Sequence, residues 1–335
     1  VPLVSIGIRA YRSRWLADAI ASVLSQTHQE LELVVFDDSG DNEDVVARFA
    51  GDGRVRYHRA RERLGASGRY AATLSLCRGE YLGLLDDDDR YAPTFVASVL
   101  APLEADQTLG LAFARSVWEV DGRRVGGGES LRRGPQADAA RSLLTLRWCP
   151  TPSRTLLRRA AYDAVQPIPD GVASDLYVSA LLAANGWGLH LVDEPLVVQR
   201  FHSDQLIRAP RTLEDLLVAT FGALQFEDDE LEALRAQALA RAYVRRAVHH
   251  LRDGRRSAAR ADLEAARATD RRAWRPLRRA ARTAAGVPLD GTTAVRALFA
   301  LPALRRRRDL PPGSRARNRL AAAIARRAGD AFGWP

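Results

Sequence analysis

At 335 residues and 47% hydrophobic content, the chain has apolar surface enough for a large core with an appendage, or for two domains, which argues against disorder throughout. Two cysteines, Cys77 and Cys149, are too few for a disulfide framework and point to a reducing compartment; no apolar run approaches the ~20 residues of a spanning helix. The formal charge of +9 is unevenly spread: residues 1–204 hold 23 Arg against 27 Asp and Glu, and residues 205–335 hold 27 Arg against 14. The first residues enter a strand-like pattern at once, without a signal-peptide layout. The expected location is the cytoplasm, with the inner face of the cytoplasmic membrane as a peripheral alternative.

Residues 1–116 alternate strand-like and helix-like patterns, the mark of βα units and a mainly parallel sheet. A strand over 4–8 begins the series. Ser13 is placed as the N-cap of a helix through about Ser25, with Leu16, Ala19, Ile20, Val23 and Leu24 in one apolar stripe. A second buried strand, 31–36, ends in Asp37-Asp38-Ser39-Gly40 and is followed by a short helix from about Glu43. Strands at 55–58 and 80–85 come next, with a helix over about 68–77 between them.

Asp86, Asp87, Asp88 and Asp89 directly follow the last of these strands. Like charges repel, so four consecutive carboxylates at the end of a buried strand call for a compensating cation, and a divalent metal supplies one. The carboxyl ends of the strands are also where open α/β sheets bind ligands. Alternation along an extended segment would send Asp86 and Asp88 one way, Asp87 and Asp89 the other.

From Leu111 the pattern turns antiparallel: a strand over 111–120, an Asp121-Gly122 turn and a strand over 123–125 form a hairpin, and Gly126 to Gly128 mark a mobile loop. A helix around 136–146 precedes Trp148-Cys149-Pro150-Thr151-Pro152. Residues 174–185 read as a helix with Asp175 in its first turn and Gly186 as its stop, followed by two short strands at 187–192 and 196–201. Beyond Leu206 the pattern is helical and rich in Arg and Ala, with a helix pair over 230–269. Pro276, Pro288, Pro302 and Pro311-Pro312 cut the rest into short pieces.

Four segments in this order resemble family 2 glycosyltransferases of the GT-A fold: Val4-Ser5-Ile6-Gly7-Ile8-Arg9-Ala10-Tyr11, Ser22-Val23-Leu24-Ser25-Gln26-Thr27, Leu33-Val34-Val35-Phe36-Asp37-Asp38-Ser39, and Gly79 to Asp89. The resemblance implies a Rossmann-like mixed sheet flanked by helices, with an all-α, Arg-rich C-terminal extension. It implies a catalytic domain over 1–205, its nucleotide-sugar half about 1–116 and its acceptor half about 117–205, and a basic extension over 206–335. The implied reaction is inverting, metal-dependent transfer from a nucleotide sugar to a hydroxyl acceptor. UDP-sugar is the first choice of donor, with dTDP- or GDP-sugar as alternatives; a glycan, lipid-linked precursor, specialised metabolite or polypeptide fits as acceptor.

Carried over by position, Asp38, with Asp37 beside it, would accept the imide N–H of a uracil or thymine ring, since a carboxylate is acceptor-only. Ala10, Tyr11 and Arg69 would lie at the nucleotide. Asp86 to Asp88 match the DXD motif, with Asp87 near the ribose, Asp88 a metal ligand and His202 completing the metal site. Hard oxygen ligands suit Mg2+ or Mn2+. Asp175 would be the general base, with Ser174 where the family carries an acidic residue. Arg9 and Arg12 stand where the family has proline and asparagine.

Each feature also has a structural reading. Asp37-Asp38 suits a turn, Asp175 a helix N-terminus, and His202 or Trp148 a packed core. A nucleotidyltransferase would want a Gly-rich loop after the first strand, which Arg9-Ala10-Tyr11-Arg12-Ser13 is not. A noncatalytic nucleotide-sugar-binding module is the remaining alternative. The Arg-rich tail reads first as a solvated surface, then as an attachment to anionic lipid and last as a nucleic-acid contact; no recognised reading module accompanies the charge, so no nucleic-acid partner is expected, and the helical tail leaves room for an oligomer.

Overall fold

The computed structural model describes residues 1–120, 123–125, 131–202 and 210–271. The chain divides into two compact units, Val1–Leu143 with Cys149–Ser203, and Leu144–Trp148 with Asp204–Pro335.

The first unit is built on one mixed sheet. Strands β1 (Val4–Ala10), β2 (Leu31–Asp37), β3 (Val55–Arg59) and β4 (Tyr81–Asp86) run parallel in the order β3-β2-β1-β4. β1 and β2 are near-continuous apolar runs because helices cover both faces. On one face Val4, Ile6, Ile8 and Ala10 pack with helix α1 (Leu16–Leu24) through Leu16, Ala19, Ile20 and Val23, and with α4 (Phe95–Ala105) through Phe95, Val96 and Val99. On the other face α3 (Gly65–Ser75) lies so close to β1 that an added Cβ at Gly7 would overlap Thr73. The short α2 (Glu43–Ala47) lies between β2 and β3 in the chain.

Beyond β4 the sheet continues through β9 (Thr155–Arg158), β6 (Leu109–Val120), β10 (Gly188–Phe201) and β5 (Arg90–Tyr91). β9 is antiparallel to both β4 and β6, whereas β6 and β10 are parallel. β7 (Arg123–Val125) pairs antiparallel with β6, and β8 (Gly134–Pro135) with β10. Three further helices follow: α5 (Ala139–Leu144), α6 (Arg159–Asp163) and α7 (Ser174–Ala184).

Several expectations change. Ser13 is not the N-cap of α1: the helix starts at Leu16, and the Ser13 hydroxyl instead accepts the Trp15 N–H at 3.2 Å. Helix 136–146 contracts to α5. The two strands expected over 187–201 are one strand, β10, whose register shifts around Pro195; a residue without an N–H breaks the ladder there without ending the strand. α3 begins three residues earlier than expected. α4 and β9 were not anticipated: α4 is almost uniformly apolar and carries Pro102, and β9 is only four residues long. The Asp121-Gly122 turn, the Gly126–Gly128 loop and the proline-cut segments beyond 271 lie outside the described residues.

In the second unit α8 (Pro210–Ala223), α9 (Asp229–Arg252) and α10 (Arg256–Thr269) pack side by side. Asp228 caps α9 by accepting the Leu231 N–H at 2.8 Å, and Gly254, at φ 74°, turns the chain into α10. Arg246 then bridges the helices through Asp262 at 2.7 Å. Among the described residues no helix is long and apolar enough to cross a membrane.

Candidate functional site

The ends of β1, β2 and β4 lie side by side and bring most of the singled-out residues together. Register places Arg9 opposite Asp86, and the two form an ion pair, with Arg9 Nε left buried and without a hydrogen-bond partner. The Asp86 N–H donates to Ser153 Oγ at 3.1 Å. After Asp86 the backbone turns, closed by the Asp89 N–H donating to the Asp86 carbonyl at 3.0 Å, so the strand-like alternation expected across the four aspartates does not hold.

Each aspartate of the turn has its own environment. The Tyr11 N–H donates to Asp87 Oδ2 at 2.6 Å, and the Ser13 hydroxyl donates to the Asp87 carbonyl at 2.8 Å. Burial, reinforced by Asp88 and Asp86 and opposed by the Tyr11 N–H, pushes the Asp87 carboxyl up to about 7. Asp88 Oδ2 lies 2.9 Å from His202 Nε2, and the His202 ring packs against Trp15 with centroids 4.6 Å apart. Asp89 is buried and accepts the Arg200 N–H at 3.0 Å, tying β10 to the turn. The buried Arg200 side chain adds bonds to the Asp88 carbonyl at 3.2 Å, Glu119 at 3.1 Å and Asp18 at 2.9 Å. Among the described residues no group of three or more His, Cys, Asp or Glu converges as a metal cluster.

Asp37 and Asp38 are adjacent but unlike. Asp37 is fully buried and saturated. Its Oδ1 accepts from the Ser39 N–H, the Ser39 hydroxyl, the Gly40 N–H and Asn42 Nδ2, and its Oδ2 from the Asn42 N–H and the Tyr57 hydroxyl. Burial would raise its pKa, but these donors outweigh it and hold the carboxyl at about 2. Asp38 accepts the Leu64 N–H at 2.7 Å through Oδ1, and its backbone N–H donates to the Ala10 carbonyl at 3.1 Å. Asp38 Oδ2 is buried with no hydrogen-bond partner, 3.5 Å from Arg69 Nε. The Tyr11 ring lies nearby under the guanidinium groups of Arg63 at 4.7 Å and Arg69 at 5.4 Å. Burial, and then Arg9, pull the Arg69 pKa down.

Asp175 opens α7, where its Oδ1 accepts the Leu176 N–H at 2.9 Å. Burial raises its pKa, Arg9 opposes and Asp86 adds to the rise, so Asp175 belongs to the same electrostatic neighbourhood as the Arg9–Asp86 pair. The Ser174 hydroxyl beside it is buried without a partner. Arg12 instead reaches Asp41 at 2.9 Å with both side chains exposed, and its left-handed backbone, φ 54°, is one that asparagine adopts with less strain. Trp148 is buried.

Sequence reasoning missed Ser153, Trp15, Arg200, Asn42 and Tyr57. Ser153, Trp15, Arg200 and Tyr57 carry no local signal, because each acts through a residue distant in the chain, whereas Asn42 lies five residues from Asp37 and could have been read as part of its turn. The pairing of Arg9 with Asp86 was legible only as an arginine in an unexpected place.

The family model described as Glycosyl transferase family 2 matches residues 5–166. A chondroitin synthase of Escherichia coli is 34% identical over 118 residues, which are 34% of this chain and 17% of that protein, so the chain spans well under half of that relative. Among solved structures, S. aureus TarS in complex with UDP-GlcNAc superposes with a TM-score of 0.61 at 15% identity, over 86% of this chain and 95% of that one. A mannosyltransferase of Pyrobaculum calidifontis in complex with GDP-Man and Mn2+ gives 0.56 at 17% identity, over 100% and 88%. These likenesses show the GT-A fold.

Proposed function

We propose that this chain, whose residues 5–166 match the glycosyl transferase family 2 model, transfers a sugar from a nucleotide-sugar donor, UDP-linked in the first instance, to a hydroxyl acceptor, with inversion. The catalytic domain is placed over 1–205, with the donor half about 1–116 and the acceptor half about 117–205. The observation that carries the reading is Asp38 Oδ2 just past the end of β2, buried without a hydrogen bond and faced by the Arg69 guanidinium only at 3.5 Å. An acceptor-only oxygen without a donor is costly, and the imide N–H of a uracil or thymine ring answers it. Asp37, saturated by its own turn, holds that turn in shape.

Asp88 and His202, 2.9 Å apart, would hold Mn2+ or Mg2+. Two protein ligands fit such an ion, which normally takes one or two side chains and fills its other positions with phosphate oxygens and water; the imidazole favours Mn2+. When bound, the ion neutralises charge on the departing nucleoside diphosphate. Asp87, fixed by the Tyr11 N–H, would face the ribose.

Asp175 removes the proton from the acceptor hydroxyl as that oxygen bonds to the anomeric carbon and the bond from that carbon to the diphosphate breaks. A single displacement of this kind inverts the centre. Its raised pKa brings the carboxylate nearer the working pH, which favours general-base catalysis.

Transfer and donor-hydrolysis assays with a UDP-sugar panel test the proposal. Asp88→Ala should lose donor turnover, whereas Asp175→Asn should lose transfer and keep nucleotide binding. Parent-like activity in both variants would defeat the assignment.

A further inference from the structure

Arg241, Arg245, His249 and Arg252 recur along α9 at spacings of four, four and three, and so share one stripe of the helix. Arg245 is answered by Glu214 of α8 at 2.8 Å, with both side chains buried. On the neighbouring stripe Arg246 takes Asp215 and Asp262, and His250 lies 3.5 Å from Asp262. Arg252 differs. Both of its terminal nitrogens are buried and make no hydrogen bond. The last carbonyls of α9 do not serve it: those of His249, His250 and Leu251 are taken by the N–H groups of Asp253, Arg255 and Gly254. Asp253, next in the chain, pairs with Arg255 at 2.9 Å.

Three residues back, His249 is buried with Nε2 also unpartnered. Burial, and then Arg252, push its pKa down, so the imidazole is neutral near pH 7. A guanidinium does not shed its proton, and a buried charge without a counter-charge is strongly unfavourable. Among the described residues, Asp253 brings negative charge near His249 but makes no hydrogen bond to Arg252, so the Arg252 fork is left without an acceptor.

We propose that Arg252 and His249 form a binding site for a phosphate group. The two Nη groups of Arg252 make a fork for two oxygens, and His249, as its Nε2–H tautomer, adds a third donor from a neighbouring turn. Three donors suit a tetrahedral oxyanion better than a planar carboxylate, whose two oxygens the fork alone would satisfy. Arg241 adds positive potential along the same stripe. A free phosphate-bearing metabolite and a phospholipid headgroup share this chemistry.

The test titrates the full chain with inorganic phosphate by calorimetry, with thermal melts at ionic strength matched by NaCl. The parent should bind phosphate and melt higher in it than in NaCl. Arg252→Met should weaken phosphate binding at least tenfold, yet melt at or above the parent without phosphate, because an unanswered buried charge has gone. Arg260→Gln, on the exposed face of α10, should bind phosphate like the parent. Phosphatidylglycerol vesicles separate the sources: Arg252→Met losing both vesicle and phosphate binding assigns the headgroup, and losing phosphate binding alone assigns a free ligand. Equal phosphate affinity in parent and Arg252→Met, or a lower melt for the variant in both buffers, overturns the site.

Discussion

Replacing Asp37 by asparagine changes one atom and should cost the first unit several degrees of melting temperature. The buried carboxylate accepts six hydrogen bonds, and two of them, from the Asn42 N–H and the Tyr57 hydroxyl at 2.9 Å each, converge on Oδ2. An amide NH2 in place of that oxygen would face two donors. The tyrosine hydroxyl can rotate to accept, but the Asn42 N–H cannot, and a buried donor left without a partner costs ~1–3 kcal/mol. The titration of the group gives the same scale: held at about 2 against an ordinary 3.8, the carboxyl contributes ~2.5 kcal/mol at neutral pH. For a unit of this size that corresponds to a drop of about 5–10 °C. Because the folded pKa is depressed, this contribution is fully present above the unfolded value and is lost as pH falls toward about 2. The gap between parent and Asp37→Asn, followed by circular dichroism melts, should be constant from pH 5 to 8 and shrink by roughly half near pH 3. A variant melting within a degree of the parent at pH 7, or a gap that does not narrow in acid, would refute the role given to Asp37.

Asp38→Asn should act chiefly on binding: Leu64 keeps its acceptor and the fold loses only the 3.5 Å ion pair with Arg69, so the melt falls less than in Asp37→Asn, while loss of a charge-assisted bond worth ~1.5–3 kcal/mol weakens UDP binding about 10- to 150-fold. Gly79→Ala should destabilise by ~1–3 kcal/mol, visible in urea melts, since a Cβ there would sit 2.5 Å from the Leu3 carbonyl and 2.8 Å from the Ser5 nitrogen, neither of which can yield. Burial pushes the Cys77 thiol up to about 12, so iodoacetamide at pH 8 should leave it unmodified in the native chain and alkylate it in urea. The acid limb of the transfer rate should report Asp175, with activity falling as pH drops through a value above the ordinary 3.8; Arg9→Gln removes the opposing cation and should move that limb to higher pH.

What was legible in the sequence follows from how far apart the cooperating residues lie. β1, β2 and β4 are apolar runs ending in Arg9-Ala10, Asp37 and Asp86, so a sheet whose carboxyl edge carries the polar residues could be read directly. The proximity of His202 to Asp88, over a separation of 114 residues, came through the resemblance; no spacing rule reaches that far. The difference between Asp37 and Asp38 was not legible, because it depends on Asn42, Tyr57 and Leu64 arriving from a loop, a strand and a helix start. β10 was split in two because Asp193-Glu194-Pro195 has the composition of a turn, and only its pairing with β6 carries the strand across that bulge. The cationic stripe of α9 lay hidden in a background of arginines, and what distinguishes Arg252 is that both of its buried Nη groups lack a hydrogen bond.

The central claim is that Asp38 and Asp88 serve the base and the diphosphate of one bound nucleotide. Calorimetric titration of the full chain with UDP, with and without Mn2+, tests it most directly. The account predicts binding that Mn2+ strengthens, a loss of affinity in Asp38→Asn in either condition, and a loss of the Mn2+ effect alone in Asp88→Asn. UDP binding that ignores Mn2+ and survives unchanged in both variants would contradict it.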